Sequence, residues 1–307
     1  MKKVILIGGT AYSGSTILDL ILSNTNKGIS VGELHALFFP WREKQLDYGG
    51  IDTNKGFIKF WDEIKNKSYK NVYKNIFDKF PEKEYIVDSS KAIYWIYLQN
   101  KLLEKQDFEI KNILIWKNPE SLVKSYLKRG KNNALDSWIN YYRQYLSIIK
   151  NPIIVNLDNF INNSLQLKSI CQHLSIPYSE KMFEYWNNET AYTLYGSTSA
   201  KISLYNPNSE SYRKAKSIID SRNKDNRYYY RKVEKEKNKE ENLINIFENP
   251  QINDQIYKIK NFLIGKNKLD ESILFPKKYI KLKLYKHLIR SFLFRTKILK
   301  FLRQLKS

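Results

Sequence analysis

Cysteine and histidine are scarce in this chain. A single cysteine, Cys171, among 307 residues excludes a disulfide framework and any cysteine-rich metal site. It sits in an apolar helical stretch with Leu167, Ile170 and Leu174, which reads as a buried structural thiol. The three histidines, His35, His173 and His287, stand at no metal-ligand spacing from one another, so no metal is expected. Long apolar runs are missing too. No stretch of about eighteen apolar residues occurs, and no membrane-spanning helix is expected. Lys2-Lys3 precede an apolar run at the start, but Gly8-Gly9 and Ser13-Gly14-Ser15 break it before a secretory core can form. The expected location is the cytoplasm.

Acidic residues are in deficit. Lys and Arg number 53 against 31 Asp and Glu, a net charge of +22. The excess is uneven: residues 276–307 hold eleven Lys/Arg and no acid. The body is basic as well, which suits an anionic ligand. No helix-turn-helix, zinc finger or RNA-binding signature accompanies the charge, so nucleic acid is not an expected partner. The abundance of Lys, Asn and Ile also fits a codon-biased genome. Hydrophobic residues make up 42% of the chain and aromatic residues 14%, enough for a folded α/β core.

Short β-branched runs alternate with helical patterns. The pattern predicts strands at 3–7, 29–31, 85–88, 112–116 and 153–156. Helices are predicted at 15–23, 56–80, 91–105, 119–129 and 134–149. Such alternation indicates a parallel sheet flanked by helices on both faces, with ligands at the carboxyl ends of the strands. Residues 205–242 turn polar, as an exposed loop or charged helix, and 254–307 read as helical without a strand. No internal repeat is found.

The first strand, Val4-Ile5-Leu6-Ile7, runs into Gly8-Gly9-Thr10-Ala11-Tyr12-Ser13-Gly14-Ser15-Thr16 and then a helical pattern. A strand, a small-residue turn and a helix start make an anion site, because free backbone N–H groups and the positive end of the helix dipole converge there. Gly9, Gly14 and Thr16 match the spacing of a nucleoside-triphosphate loop, but Ser15 replaces its lysine, which argues against a kinase or ATPase. GGTAYSG also resembles a dinucleotide turn with Glu33 as ribose-binding acid, although Ala11 stands where glycine is usual. A 5′-phosphosulfate loop is the third reading.

A second cluster follows the fourth strand. Asn118 is a good N-cap and Pro119 suits the first helical position. Ser125 and Arg129 share a helical face that Lys117 can approach from the strand end, so a hydroxyl and two cations converge as for a second phosphate. A capped helix with solvated cations is the plainer reading.

Together, Ser13-Gly14-Ser15-Thr16 and Lys117-Asn118-Pro119 with Ser125 and Arg129 resemble the loop and strand–helix motifs of sulfotransferases that use 3′-phosphoadenosine 5′-phosphosulfate (PAPS). Val155-Asn156-Leu157-Asp158-Asn159-Phe160 with the following Leu167, Ile170-Cys171, Leu174 and Ile176-Pro177 is similar to a further stretch of that family. Val31-Gly32-Glu33-Leu34 resembles the Gly-Glu of its tyrosylprotein and bacterial branches. The resemblance covers roughly residues 1–205. It implies a P-loop-like α/β core, a 5′-phosphosulfate held by Ser13, Gly14, Ser15 and Thr16, and a 3′-phosphate held by Lys117, Ser125 and Arg129. By the same resemblance Glu33 is the base that takes the acceptor proton, with His35 as second choice; a carboxylate that caps a helix or pairs with a lysine is the other reading of Glu33. Ser197 and Lys201 fall where the family has its last cofactor-contacting loop, and a plain surface turn is the other reading.

Two departures matter. Tyr12 stands where the family has a cation assisting the leaving group, and Lys117-Asn118 replaces Arg-Asp, a point charge in place of a fork. Lys91, closing Val87-Asp88-Ser89-Ser90-Lys91, is expected to reach the transferring sulfonate and compensate for Tyr12, a solvated lysine opening a helix being the other reading, while Asp88 and Ser89 cap a helix.

The expected organisation is a core at 1–205, a polar segment at 206–253 and a basic helical extension at 254–307. Its helical apolar pattern, interleaved with cations, suits either an anionic membrane surface or packing on the core. The acceptor, a hydroxyl on a sugar, polysaccharide or glycolipid, is expected between loops at 36–60 and 196–235. Two alternatives remain: a Rossmann-type oxidoreductase or epimerase using Tyr97 and Lys101, and a non-catalytic basic binder of nucleic acid or membrane.

Overall fold

In a computed structural model describing residues 1–40, 55–127, 129–161, 163–187, 192–205, 207–210, 212–220 and 250–295, the apolar run at the start forms strand β1 (Lys2–Gly8). β1 is the middle strand of a five-stranded sheet with β2 (Gly28–Gly32), β3 (Tyr85–Asp88), β4 (Phe108–Trp116) and β5 (Ile153–Asn156), in the order β2-β3-β1-β4-β5. Every pairing is parallel. The connections leave β1 first toward β2 and later toward β4, so the strand order reverses beside β1 and a crevice opens at its carboxyl end.

Period-two alternation sorts the strand side chains into two layers. Ile5, Ile7, Val87, Ile113, Ile115 and Val155 face α1 (Ser15–Ser23) and α9 (Ser164–Leu174). Leu18, Ile21 and Leu22 present one stripe of α1 to this layer, and Leu167, Ile170, Cys171 and Leu174 do so from α9. Burial pushes the Cys171 thiol up to about 12, as befits a packing residue. On the opposite face Val4, Leu6, Ile86, Leu114 and Trp116 meet the larger core. That core is built by α3 (Lys55–Lys65), α4 (Val72–Lys79), α5 (Ile93–Leu103) and α7 (Ala134–Ile148). Between β4 and α7 lies α6 (Pro119–Leu127), and the chain leaves β5 through the short α8 (Leu157–Phe160).

Two elements differ from the sequence pattern. The helix expected over 56–80 is broken into α3 and α4 by a short 3₁₀ turn at Tyr69–Asn71. There Ser68 Oγ accepts from the Lys70 N–H at 3.2 Å and competes with the helical ladder. β4 begins four residues earlier than expected, at Phe108, because it pairs with β1 from Lys2 onward. β5 covers only Ile113–Trp116, so the first half of β4 has an open flank that tolerates Glu109 and Lys111. Glu109 is paired there with Lys3 at 3.3 Å and Lys111 at 2.9 Å.

The helix Pro250–Leu263 buries Ile256, Ile259 and Leu263 in the larger core, continuous with Trp138 and Leu146. The basic helix, Lys277–Arg295, packs on α5 and α7: His287 stacks on Tyr94 at 4.3 Å and Lys283 Nζ donates to Gln144 Oε1 at 2.9 Å. Leu282, Tyr285 and Ile289 lie on its outer side, more than half exposed. Residues 221–249 and 296–307 lie outside the described residues, as does 41–54 of the first expected acceptor loop. Among the described residues no helix is long and apolar enough to cross a membrane.

Candidate functional site

At the carboxyl end of β1 the chain turns sharply. Ser13 N–H donates to Thr10 C=O at 3.3 Å, Tyr12 sits at φ +68° and Gly14 at φ +86°. A β-carbon on Gly14 would stand 2.3 Å from Leu157 Cδ1, so both the backbone angle and the space select glycine. No side chain caps α1; Leu18 N–H is bonded back to Gly14 C=O at 3.1 Å, while the earlier N–H groups face the loop. Ser13 Oγ is buried there and has no hydrogen-bond partner among the described residues. An uncapped helix start with an unsatisfied buried hydroxyl fits an anion.

Tyr12 joins this loop to the second cluster. Its ring meets Tyr126 edge-on at 5.3 Å, and the Arg129 guanidinium lies over it at 4.1 Å. Its hydroxyl accepts from Lys131 Nζ at 3.1 Å. Lys117 Nζ donates to Ser125 Oγ at 3.2 Å, and Arg129 Nη1 donates to Ser125 C=O at 2.6 Å. Lys117, Ser125 and Arg129 therefore stand together, beside the loop, with Tyr12 between. Lys131 was not legible in the sequence, since it belongs to no motif.

A buried charge group lies on the other side. Glu33 follows β2, Lys91 follows β3, and Lys91 Nζ pairs with Glu33 Oε1 at 2.6 Å. Burial works to raise the Glu33 carboxyl, but Lys91, aided by Lys201, holds it below the usual carboxylate range. Lys91 adopts a left-handed φ of +58°, an uncommon state for a side chain of its size. The loop carrying it is anchored by Asp88, which accepts from Tyr73 Oη at 2.6 Å, Trp95 Nε1 at 2.8 Å and Ser90 N–H at 2.8 Å. Asp88 thus has a structural role, and Ser89 Oγ donates to Asp19 Oδ2 at 2.6 Å. His35 is only 1% exposed, its ring against Tyr94, and burial pushes its imidazole down to about 3, leaving it neutral.

Lys201 completes the group. It ends α10 (Thr198–Lys201), whose cap Ser197 donates its N–H to Thr16 Oγ1 at 3.1 Å and so docks on α1. Lys201 is 1% exposed, and its Nζ has no hydrogen-bond partner among the described residues. Burial pulls its ammonium down to about 8, against the attraction of Glu33 and Asp19. Asp19, buried in α1, is raised to about 7 by the same desolvation. Its signal in the sequence was a lone acid inside an apolar helical run, Ile17-Leu18-Asp19-Leu20.

Lys101 is remote from this site. α5 starts beside the loop and runs away from it, placing Lys101 ~12 Å along the axis from its first residue. Lys101 is exposed there and pairs with Glu104 at 2.8 Å. The Rossmann reading loses its Tyr/Lys pair.

The buried ammonium carries a pH signature. Lys201 is depressed in the folded state relative to its ordinary value near 10.5, so the unfolded chain binds more protons between about 8 and 10.5. Its contribution to stability therefore rises with pH across that window. Denaturant melts at pH 7.5 and 10 should show this rise in the wild type relative to Lys201→Met; parallel pH dependences would refute it.

No protein-family model matches the chain, and no curated protein sequence matches it. Among solved structures it is similar to the sulfotransferase domain of the Synechococcus PCC 7002 olefin synthase, at 16% identity and a TM-score of 0.46, over 62% of this chain and 78% of that one. It is also similar to the sulfotransferase domain of the curacin biosynthetic pathway, at 17% identity and a TM-score of 0.45, over 72% of this chain and 98% of that one.

Proposed function

We propose that this chain is a sulfotransferase that moves the sulfonate of PAPS to a hydroxyl acceptor such as a sugar, polysaccharide or glycolipid. The observation that carries the reading is the joining of two anion-binding clusters through Tyr12. One is the uncapped α1 terminus with the unpartnered Ser13 hydroxyl; the other is Lys117, Ser125 and Arg129. A nucleotide bearing phosphates on both its 3′ and 5′ positions needs two such clusters on one side of a sheet. Ser13, Gly14, Ser15 and Thr16 hold the 5′ end, and Lys117, Ser125 and Arg129 the 3′-phosphate. Ser197 docks on Thr16, and the buried Lys201 ammonium, without a hydrogen-bond partner among the described residues, gains a counter-anion when the site is filled.

In the transfer an acceptor oxygen bonds to sulfur as the bond from sulfur to the 5′-phosphate oxygen breaks, yielding a sulfate ester and adenosine 3′,5′-bisphosphate. Glu33 takes the acceptor proton. Lys91 holds that carboxylate ionised, and its ammonium answers the charge that develops on the leaving phosphate, in place of the cation that Tyr12 cannot supply. Arg129 and Lys131 bring positive charge onto the Tyr12 ring and hydroxyl. His35, enclosed against Tyr94 and neutral, is not the group that holds Glu33 ionised. The exposed side of the basic helix, where Leu282, Tyr285 and Ile289 lie among lysines, suits peripheral contact with an anionic bilayer in the cytoplasm.

Three measurements test these points. Adenosine 3′,5′-bisphosphate should bind with an affinity at least tenfold lower in Arg129→Ala, adenosine 5′-phosphate changing less than threefold; selective stabilisation by NAD(H) would overturn the reading. Bisphosphate release from PAPS with 4-hydroxyphenylacetate or glucose 6-phosphate should fall about 100-fold or more in Glu33→Gln and in Lys91→Ala; wild-type turnover in either removes that residue's role. Vesicles containing phosphatidylserine should sediment the protein, and Leu282→Glu/Ile289→Glu should abolish this; equal sedimentation with neutral vesicles dismisses the membrane contact.

A further inference from the structure

A cavity of about 400 Å³ lies between the start of α5, the middle of α7 and the basic helix. Its volume is in the range of small-molecule sites, roughly 300–1,000 Å³. One end is walled by Lys91 and Tyr141, which also touch the candidate site. Tyr141 Oη accepts from Gly9 N–H at 2.8 Å and donates to Lys91 C=O at 2.6 Å. The cavity thus adjoins the loop after β1 through Tyr141 and the Glu33 carboxylate through Lys91.

The lining is one-sided in charge. The basic helix supplies Lys283, His287 and Arg290, and no Asp or Glu lines the cavity among the described residues. Lys91 is neutralised by Glu33, but the helix cations have no such partner in the lining. Among the described residues Lys283 donates to the neutral Gln144 amide and lies 5.0 Å from the Tyr279 ring. His287 is stacked flat on Tyr94, and burial, then Arg290 and Lys283, keep its imidazole below its ordinary value. Cations gathered at a partly enclosed site repel one another, and an anion entering it relieves both that repulsion and their lost hydration. Arg290 adds a planar fork suited to carboxylate or phosphate oxygens. Asn140, Ser137 and Gln144 of α7 offer neutral hydrogen-bonding groups for hydroxyls, and the Tyr94–His287 stack offers a flat apolar surface.

We propose that this cavity binds a small hydroxyl-bearing organic acid, its carboxylate or phosphate held by Lys283 and Arg290 of the basic helix and its hydroxyl directed toward Lys91 and Glu33. The role of this acid as sulfonate acceptor rests on the sulfotransferase reading above; the binding of an anion in the cavity does not. The basic helix is then a specificity wall, which explains why a strongly cationic segment is packed against the body beside the site.

Calorimetric titration tests the proposal with two probe pairs of matched shape: 4-hydroxyphenylacetate against 4-hydroxyphenylacetamide, and glucose 6-phosphate against glucose. The wild-type protein should bind at least one acid about tenfold more tightly than its neutral partner. Lys283→Gln/Arg290→Gln should reduce that preference below twofold while the affinity for adenosine 3′,5′-bisphosphate stays within twofold. Arg290→Gln alone, at an exposed position on the rim, should give an intermediate preference and guards against loss of helix packing in the double variant. Equal binding within both pairs, or a preference that survives in the double variant, overturns the proposal. An acid preference lost in the double variant, in a protein that binds no bisphosphate, keeps the anion site and overturns its role as acceptor pocket.

Discussion

The hydroxyl of Tyr141 holds the site together. It accepts the Gly9 N–H and donates to the Lys91 carbonyl, fastening the turn after β1 to the turn after β3 across the top of the sheet. Burial drives its ionisation far above neutral pH, so the phenol keeps the proton that the second bond needs. Lys91 is in a left-handed conformation that a lysine does not adopt unaided, and the carbonyl bond is one of the restraints that keep it there. Tyr141 also forms part of the cavity beside the basic helix. One α7 side chain thus couples three regions: the turn after β1, the Lys91–Glu33 pair and the cavity beside the basic helix.

Charge at the site is arranged by exclusion of water. Glu33, Asp19 and Lys201 occupy a space where desolvation opposes ionisation; the ion pair with Lys91 overcomes it at Glu33, while burial prevails at Asp19 and Lys201. Such a group is costly to fold around, and perturbed groups of this kind cluster at functional sites. On the far side of Tyr12 the cations are held differently. Lys117 and Arg129 are positioned by Ser125, and Arg129 and Lys131 rest on an aromatic ring that accepts positive charge without neutralising it. Tyr12, a departure from the sulfotransferase pattern, therefore brings positive charge to the loop through its neighbours.

Much of this was legible from local pattern. The strands at 85–88 and 153–156, the α1 boundaries and the approach of Lys117, Ser125 and Arg129 follow from hydrophobic periodicity, an N-cap and i,i+4 spacing, all of which act within a few residues. The break between α3 and α4 was not, because a serine side chain competing for one N–H leaves the apolar periodicity unchanged. Nor was the early start of β4. Phe108–Lys111 carry polar residues that become a strand only because β1 lies alongside and β5 is too short to cover them.

Periodicity and neighbours in the chain are enough to specify the α/β architecture, the glycine-rich turn after β1 and the chemistry of the residues around it. Tertiary structure alone decided which residues share the site. Lys131 reaches Tyr12 across 119 positions, Tyr141 reaches Lys91 across 50, and Lys283 reaches Gln144 across 139. Contacts at such separations leave no local periodic trace. They exist because a parallel sheet gathers the ends of distant strands at one edge, and because the basic helix folds back onto α5 and α7 beside them.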